Sequence, residues 1–319
     1  MPTDSQPSVR MPPPPPAVPE HIVSPLPPFA DDYGRRVADG QARLRNAKVA
    51  FVGLARNCAG PLIMNLNRVL DLADLCGSWA FHVETNDNED ATDEVLAEFC
   101  RQHRQATFTS QRLGRQQFST EFAGRRTIAL AEYRDACQRW VRDCAADADY
   151  VVAIDFDAWG GWWHDGVLAG FGWLLELQAA YGMASVSLLQ TMTAAQQRDG
   201  TIAASRAWMH YDAWALRGVG QPDVTWDDYS AGHGGWKHQW LPPVGSTPAL
   251  VASAFGGFCI YRTGPYLAGT YDGTADCEHV PFHASIRKAT GQYLYLCPAM
   301  RTFMNWLGPE DATRHNGDD

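Results

Sequence analysis

No Cys-x-x-Cys pair occurs in the 319 residues, which excludes a zinc ribbon. The eight cysteines, at 58, 76, 100, 137, 144, 259, 277 and 297, are spaced widely and irregularly. No stretch reads as a signal peptide, so they are expected to be reduced, mostly buried thiols of a cytosolic protein. No apolar run approaches the ~20 residues of a membrane helix. A soluble protein is expected, with attachment at the inner membrane face still compatible. No Gly-x-Gly-x-x-Gly follows the first predicted strand, which argues against a dinucleotide-dependent oxidoreductase. Positive charge is scarce: 26 Lys and Arg stand against 36 Asp and Glu, a net charge of -10. A nucleic-acid partner, which needs a basic face, is therefore not expected, although a local basic pocket for phosphate is allowed. There is no internal repeat.

What is present suits a folded enzyme-sized chain. Hydrophobic residues make up 45% and charged residues 19%, and the length allows one large α/β domain or two smaller ones. The 12 Trp and 11 Tyr are many for this length and supply both core packing and stacking platforms for sugars or bases. Residues 1–30 carry a proline tract that forbids a helix or a central strand and predict a disordered or polyproline extension. Residues 31–46 predict a charged helical lead-in, and residues 309–319 a flexible tail.

The folded domain is expected over residues 47–308. KVAFVGL at 48–54 predicts a buried strand, followed by a polar turn containing Arg56 and Asn57. Apolar residues at helical spacing follow over 62–76. A second strand is predicted at 79–84 and a second helix at 93–103. This strand-turn-helix order starts a doubly wound sheet, in which ligands bind beyond the carboxyl ends of the strands. Residues 118–146 predict a long helix whose Arg126 and Arg134 lie near one face. One or both are candidates to grip a diphosphate, against the plainer reading of a solvated basic face. Further strands are predicted at 184–189, 254–262 and 293–296, and helices at 171–181 and from 284. The aperiodic stretch 218–246 predicts a flap ordered on binding.

The chain is organised around YVVAIDFDAWGG at 150–161. A short apolar run predicts a strand covered on both faces, and Asp155 and Asp157 follow at its end. Residues two apart on a strand face the same way, so both carboxylates can converge on one point. Carboxylates held close repel unless a proton or cation lies between them, and a hard divalent cation such as Mn²⁺ or Mg²⁺ suits such oxygens. The plainer reading is an acidic turn.

Four motifs in a fixed order carry a resemblance. They are Ala55-Arg56-Asn57-Cys58 at a strand end; Val83-Glu84-Thr85-Asn86-Asp87 with Asp90 and Thr92; Ile154-Asp155-Phe156-Asp157; and Tyr211–Arg217 followed by Phe255-Gly256-Gly257, Tyr261-Arg262 and Cys277-Glu278-His279-Val280. The chain is similar to metal-dependent glycosyltransferases of the GT-A fold, in particular the cryptococcal capsule-associated α-1,3-mannosyltransferase-like group and its bacterial relatives. Two departures stand out: Arg134-Asp135 where the family shows Arg-Asn, and no matching motif in 218–246.

The resemblance implies a single Rossmann-like α/β domain with a mixed, mostly parallel sheet flanked by helices. A nucleotide-sugar half would span about 47–160 and an acceptor half about 161–308. It implies a GDP- or UDP-sugar donor, a glycan or glycolipid acceptor, and a role in polysaccharide assembly. Asp155, Asp157 and His279 would hold the cation, with His283 the rival to His279. Arg56, Asn57, Glu84, Asp87, Arg126, Arg134 and Asp155 would meet the donor. Asp212, Trp214, Gly256 and Gly257 would line the acceptor side. Asp157 and Glu278 are the catalytic candidates, Glu278 as general base if the enzyme inverts or as an orienting group if it retains. Two other readings stay open: a non-catalytic carbohydrate-binding protein with a structural cation, and a sugar-phosphate nucleotidyltransferase. The latter normally carries a glycine-rich basic loop after its first strand, and residues 55–60 hold one arginine and one glycine.

Overall fold

A computed structural model describes residues 18–116, 124–196, 202–220 and 236–305. The described strands are β1 (Lys48–Ala55), β2 (Ser78–Asn86), β3 (Ala106–Gln111), β4 (Tyr150–Asp155), β5 (Gly161–Trp162), β6 (Ala180–Gln196), β7 (Ile202–His210), β8 (Arg217–Gly218), β9 (Ala249–Ser253), β10 (Phe258–Arg262) and β11 (Tyr293–Asn305). They form one mixed sheet in the order β3-β2-β1-β4-β10-β6-β11-β9-β8, with β5 on β11 and β7 on β6. The first four neighbours run parallel, as the alternating strand and helix pattern predicts. β10 enters antiparallel between β4 and β6, which in turn pairs parallel with β11.

Helices cover both faces, so the sheet divides two apolar layers. Helices Ala30–Leu44, Ala59–Ala73, Thr92–Gln102 and His164–Glu176 pack into one, against Val152 and Ile154 of β4. Helices Arg125–Cys144, Thr263–Ala268 and His279–Thr290 pack into the other, against Val151 and Ala153. The run VVAI of β4 is buried on both sides, the environment its β-branched composition calls for.

Several expectations are corrected. The proline-rich stretch is not wholly extended and solvated: Glu20–Val23 forms a helical turn with Ile22 and Val23 in the core, and Pro25 and Phe29 crowd Gly245. Residues 1–17 and 306–319 lie outside the described residues. The 30–44 helix belongs to the folded body. Its Gly40 and the facing Gly172 leave no room for a Cβ, which would approach Leu168 O to 1.9 Å and Arg36 O to 2.2 Å respectively. That close crossing requires the glycines, and the helix carrying Gly172 spans His164–Glu176, not 171–181 as expected. The stretch 254–262 is a turn leading into a strand, not one strand. Within the expected 218–246 flap, residues 221–235 lie outside the described residues, while the rest is anchored. Lys237 Nζ donates to Leu216 O at 2.7 Å, and the buried Arg301 guanidinium donates to Pro242 O. All eight cysteines are free. Among the described residues no helix is long and apolar enough to cross a membrane.

Candidate active site

The parallel strands end on one side of the sheet, and there the chain encloses a cavity of about 660 Å³. Asp155 and Asp157 form its floor. Between them Phe156 is fully buried, edge-on to Phe81 at 5.7 Å, so the hydrophobic anchor turns both neighbours toward the opening. Asn65 fixes the same turn from behind, donating to Phe156 O and Ala158 O, each at 2.9 Å. Asp157 is solvent-accessible at the cavity, yet the enclosing walls, and then the Asp155 charge, push its carboxyl above the usual carboxylate range.

Arg134 ties this floor to the opposite wall. Its Nη2 donates to Asp155 Oδ1 at 2.8 Å and its Nε to Glu278 Oε1 at 2.9 Å, with the guanidinium 4.5 Å over the Phe255 ring. Burial opposes the positive charge, but the Asp155 and Glu278 carboxylates more than offset it and hold Arg134 well above its ordinary value. Glu278 is 2% exposed.

Asp212 lines the cavity and binds backbone. Oδ2 accepts from Gly256 N at 2.9 Å and Oδ1 from Ala215 N at 3.2 Å. Burial raises its carboxyl to about 6, the two backbone donors oppose the rise, and the Asp155 and Glu278 charges add to it. The Gly256-Gly257 turn thereby meets β4, and Asp155 N donates to Gly257 O at 2.9 Å. Gly256 has φ +67°, and a Cβ there would lie 2.2 Å from Ser185 O.

The two histidines separate cleanly. His283 is a satisfied core residue, with Nδ1 2.9 Å from Ser253 Oγ and Nε2 2.9 Å from Tyr261 Oη. His279 borders the cavity, stacked on Phe255 at 3.9 Å, and neither ring nitrogen has a hydrogen-bond partner. Burial first, then the Arg134 charge, keep its ring neutral by holding its pKa well below the ordinary value. Its Nε2 lies 3.4 Å from Glu278 Oε1 and both nitrogens are buried, so only a side-chain rotation would present this neutral imidazole to a metal.

Of the residues expected at the site, Arg56, Glu84, Arg126, Arg134, Asp155, Asp157, Asp212, Trp214, Gly257, Glu278 and His279 border this one cavity. Asn57 and Asp87 do not, because both serve local structure. Asn57, at φ +48°, donates its N–H to Asn88 Oδ1 and accepts from Glu89 N, joining the β1 and β2 turns. Asp90 and Thr92 accept from Ala59 N and Cys58 N, capping the start of the 59–73 helix. Asp87 accepts from Leu113, Gly114 and Arg115 N–H groups at 2.8–3.0 Å. Against the burial that would raise it, those bonds and one from Asn86 hold the Asp87 carboxyl down at about 2. Gly256 shapes the turn from behind. Tyr133 and His238 border the cavity without having been singled out, Tyr211 and Phe255 entered only as motif members with no assigned role, and Asn65 supports the floor. An asparagine on an otherwise apolar helical face was the available signal for Asn65.

Among the described residues no group of three or more His, Cys, Asp or Glu side chains is preassembled around a metal position. The residues that fit a cation are the two repelling carboxylates, Asp155 and Asp157, and His279 borders the same cavity with its Nε2 3.4 Å from Glu278 Oε1. The cavity's β1–β2 end carries Arg56, Glu84 and Tyr133. Its other end carries Tyr211 and Trp214, with Arg126 5.4 Å over the Trp214 ring.

No protein-family model matches the chain, and no curated protein matches it. Solved structures align with most of it at low identity. A mannosyltransferase from Pyrobaculum calidifontis in complex with GDP-Man and Mn²⁺ is 12% identical, covers 86% of this chain and 66% of its own, and has a TM-score of 0.44. GalNAc-T7 with UDP, GalNAc and Mn²⁺ is 9% identical over 95% of this chain and 57% of its own, TM-score 0.45. The mannosyl-3-phosphoglycerate synthase of Rubrobacter xylanophilus is 13% identical over 88% of this chain and 75% of its own, TM-score 0.45. The chain spans less than two thirds of the length of the first two.

Proposed function

We propose that this chain is a metal-dependent glycosyltransferase of the GT-A type that moves a sugar from a GDP- or UDP-sugar to a hydroxyl of a glycan or glycolipid. The observation that carries the reading is the pair Asp155 and Asp157 on the floor of a cavity at the carboxyl ends of parallel strands, with Asp157 raised by the enclosing walls and by its partner. Mn²⁺ or Mg²⁺ held there, when bound, neutralises the charge of the departing diphosphate. Asp155 and Asp157 would hold such a cation, with His279 the further candidate ligand.

The chain's own groups divide the remaining work. The 47–160 half takes the nucleoside, with Glu84 and Arg56 at that end of the cavity. Arg134 holds Asp155 and Glu278 in fixed positions, which keeps the floor in place as the donor's charge arrives. Glu278 is almost fully buried and engaged by Arg134, an arrangement for orienting substrate more than for collecting a proton. The 161–308 half takes the acceptor, with Trp214 offering an aromatic face to a sugar. Asp212 acts through the Gly256-Gly257 turn.

The test is release of nucleoside diphosphate from GDP-mannose and from UDP-sugars, with Mn²⁺ or with EDTA. Metal-dependent release that is lost in Asp157→Ala supports the reading. Release from none of these donors, with glycan binding retained, contradicts it in favour of a carbohydrate-binding protein.

A further inference from the structure

One end of the cavity contains a hydrogen-bonded chain that runs back from Glu84 into the sheet. On β2 the alternating side chains of His82, Glu84 and Asn86 share one face, toward the 125–144 helix. His82 is 4% exposed and stacks on Trp140 at 4.9 Å with a 9° interplanar angle. Its Nδ1 lies 2.9 Å from Thr107 Oγ1 and its Nε2 2.9 Å from Glu84 Oε1. Thr107 Oγ1 in turn lies 3.3 Å from Phe81 O, a group that can only accept. The shorter contact lets the threonine hydroxyl donate to His82 Nδ1, which leaves the ring proton on Nε2 to donate to Glu84 Oε1. That arrangement satisfies both ring nitrogens of the buried imidazole. Glu84 still borders the cavity, and Oε2 has no hydrogen-bond partner in the structure.

We propose that His82 is a positioning residue: it fixes Glu84 from behind through the Nε2–Glu84 Oε1 hydrogen bond, so that Glu84 Oε2 faces the cavity as an acceptor for a ring N–H of the donor's nucleobase. The inference rests on the nucleotide-sugar reading above. Guanine N1 and uracil N3 carry such a hydrogen, whereas the corresponding ring nitrogens of adenine and cytosine are acceptors. A fixed acceptor oxygen penalises those two, because buried polar groups left unpaired are costly. Thr107 sets the tautomer from the far side, as outer partners do for functional histidines.

The test compares binding of GDP and UDP, with Mn²⁺, to that of their N1-methylguanine and N3-methyluracil analogues. Calorimetry is run on the full chain and on His82→Phe, which keeps a ring over Trp140. The wild-type protein should bind the preferred nucleoside diphosphate at least about 10-fold more tightly than its N-methyl analogue. His82→Phe should bring the two within about 2-fold, raising the donor KM while leaving kcat within about 2-fold. Thr107→Val is the second variant should His82→Phe not fold, and is expected to move the same ratio in the same direction. If a folded variant keeps the wild-type ratio, His82 is a core residue only and the proposal falls. A wild-type protein that binds a nucleoside diphosphate but ignores N-methylation also overturns it, leaving the nucleotide reading intact. If the wild-type protein binds no nucleoside diphosphate, both fall.

Discussion

Arg134 Nε donates to Glu278 Oε1 at 2.9 Å across 144 residues of chain, inside an interior that exposes almost nothing of either group. The same guanidinium holds Asp155, so one cation keeps the first strand-end acid and the start of the 279–290 helix in register. Arg134→Met should cost about 3–5 kcal/mol, because it strands a buried carboxylate, and should abolish transfer. Urea denaturation measures the first effect and donor turnover the second. Arg134→Lys should recover part of the stability and little of the activity, since an ammonium cannot fork to both acids.

Asp157→Asn removes one member of a repelling pair on the cavity floor. The variant should melt no lower than the wild-type protein without ligands, and higher if repulsion dominates. It should lose any stabilisation that needs nucleotide and Mn²⁺ together. A calorimetric scan of both proteins with and without these ligands reads all of this.

Asp212 gives a pH dependence with a defined sign. Its carboxyl sits at about 6 in the folded chain against an ordinary 3.8, so the folded state binds its proton more tightly. The stability it contributes is complete below about pH 3.8 and is lost as pH rises through about 6. Asp212→Asn should flatten the stability profile over that window and leave the slope at higher pH unchanged. Chemical denaturation at pH 4, 5, 6 and 7 compares the two slopes.

Much of this site is legible in the sequence. The run VVAI followed by Asp155 and Asp157 announces a buried strand with acids at its end, and the strand-turn-helix order places Arg56 and Glu84 on the same side. What is not legible depends on partners remote in the chain. His279 and His283 occupy one helix a turn apart, and only Ser253 and Tyr261, from β9 and β10, identify His283 as the core residue. Asp87 carries the composition of a binding turn, yet its oxygens are taken by residues 113–115. Arg134 resembles the other helix arginines until Glu278 arrives beside it. β3, reading ATFTSQ, is a half-exposed edge strand with too little apolar content to stand out.

The histidine pair yields its own contrast. His283→Ala should destabilise the fold by about 2–4 kcal/mol, because it opens a cavity and strands two buried hydroxyls. His279→Ala should cost less stability and should weaken metal-dependent nucleotide binding more. Equal losses of binding in the two variants would remove His279 from the site.

Gly256→Ala forces a side chain onto a left-handed backbone position and against Ser185 O. A loss on the order of 1–3 kcal/mol is expected, with a larger proportional loss of turnover as the turn against Asp155 shifts. Thermal melts and donor hydrolysis distinguish the two losses.

The most direct measurement is a thermal-shift panel of GDP, UDP, CDP and ADP, each with Mn²⁺ and with EDTA. A ligand that binds only the folded chain raises its melting temperature with the logarithm of its excess over the dissociation constant. The account predicts stabilisation by GDP or UDP that disappears in EDTA and in Asp157→Asn. Melting temperatures unmoved by all four nucleotides in Mn²⁺ would contradict it and reduce Asp155 and Asp157 to an acidic turn.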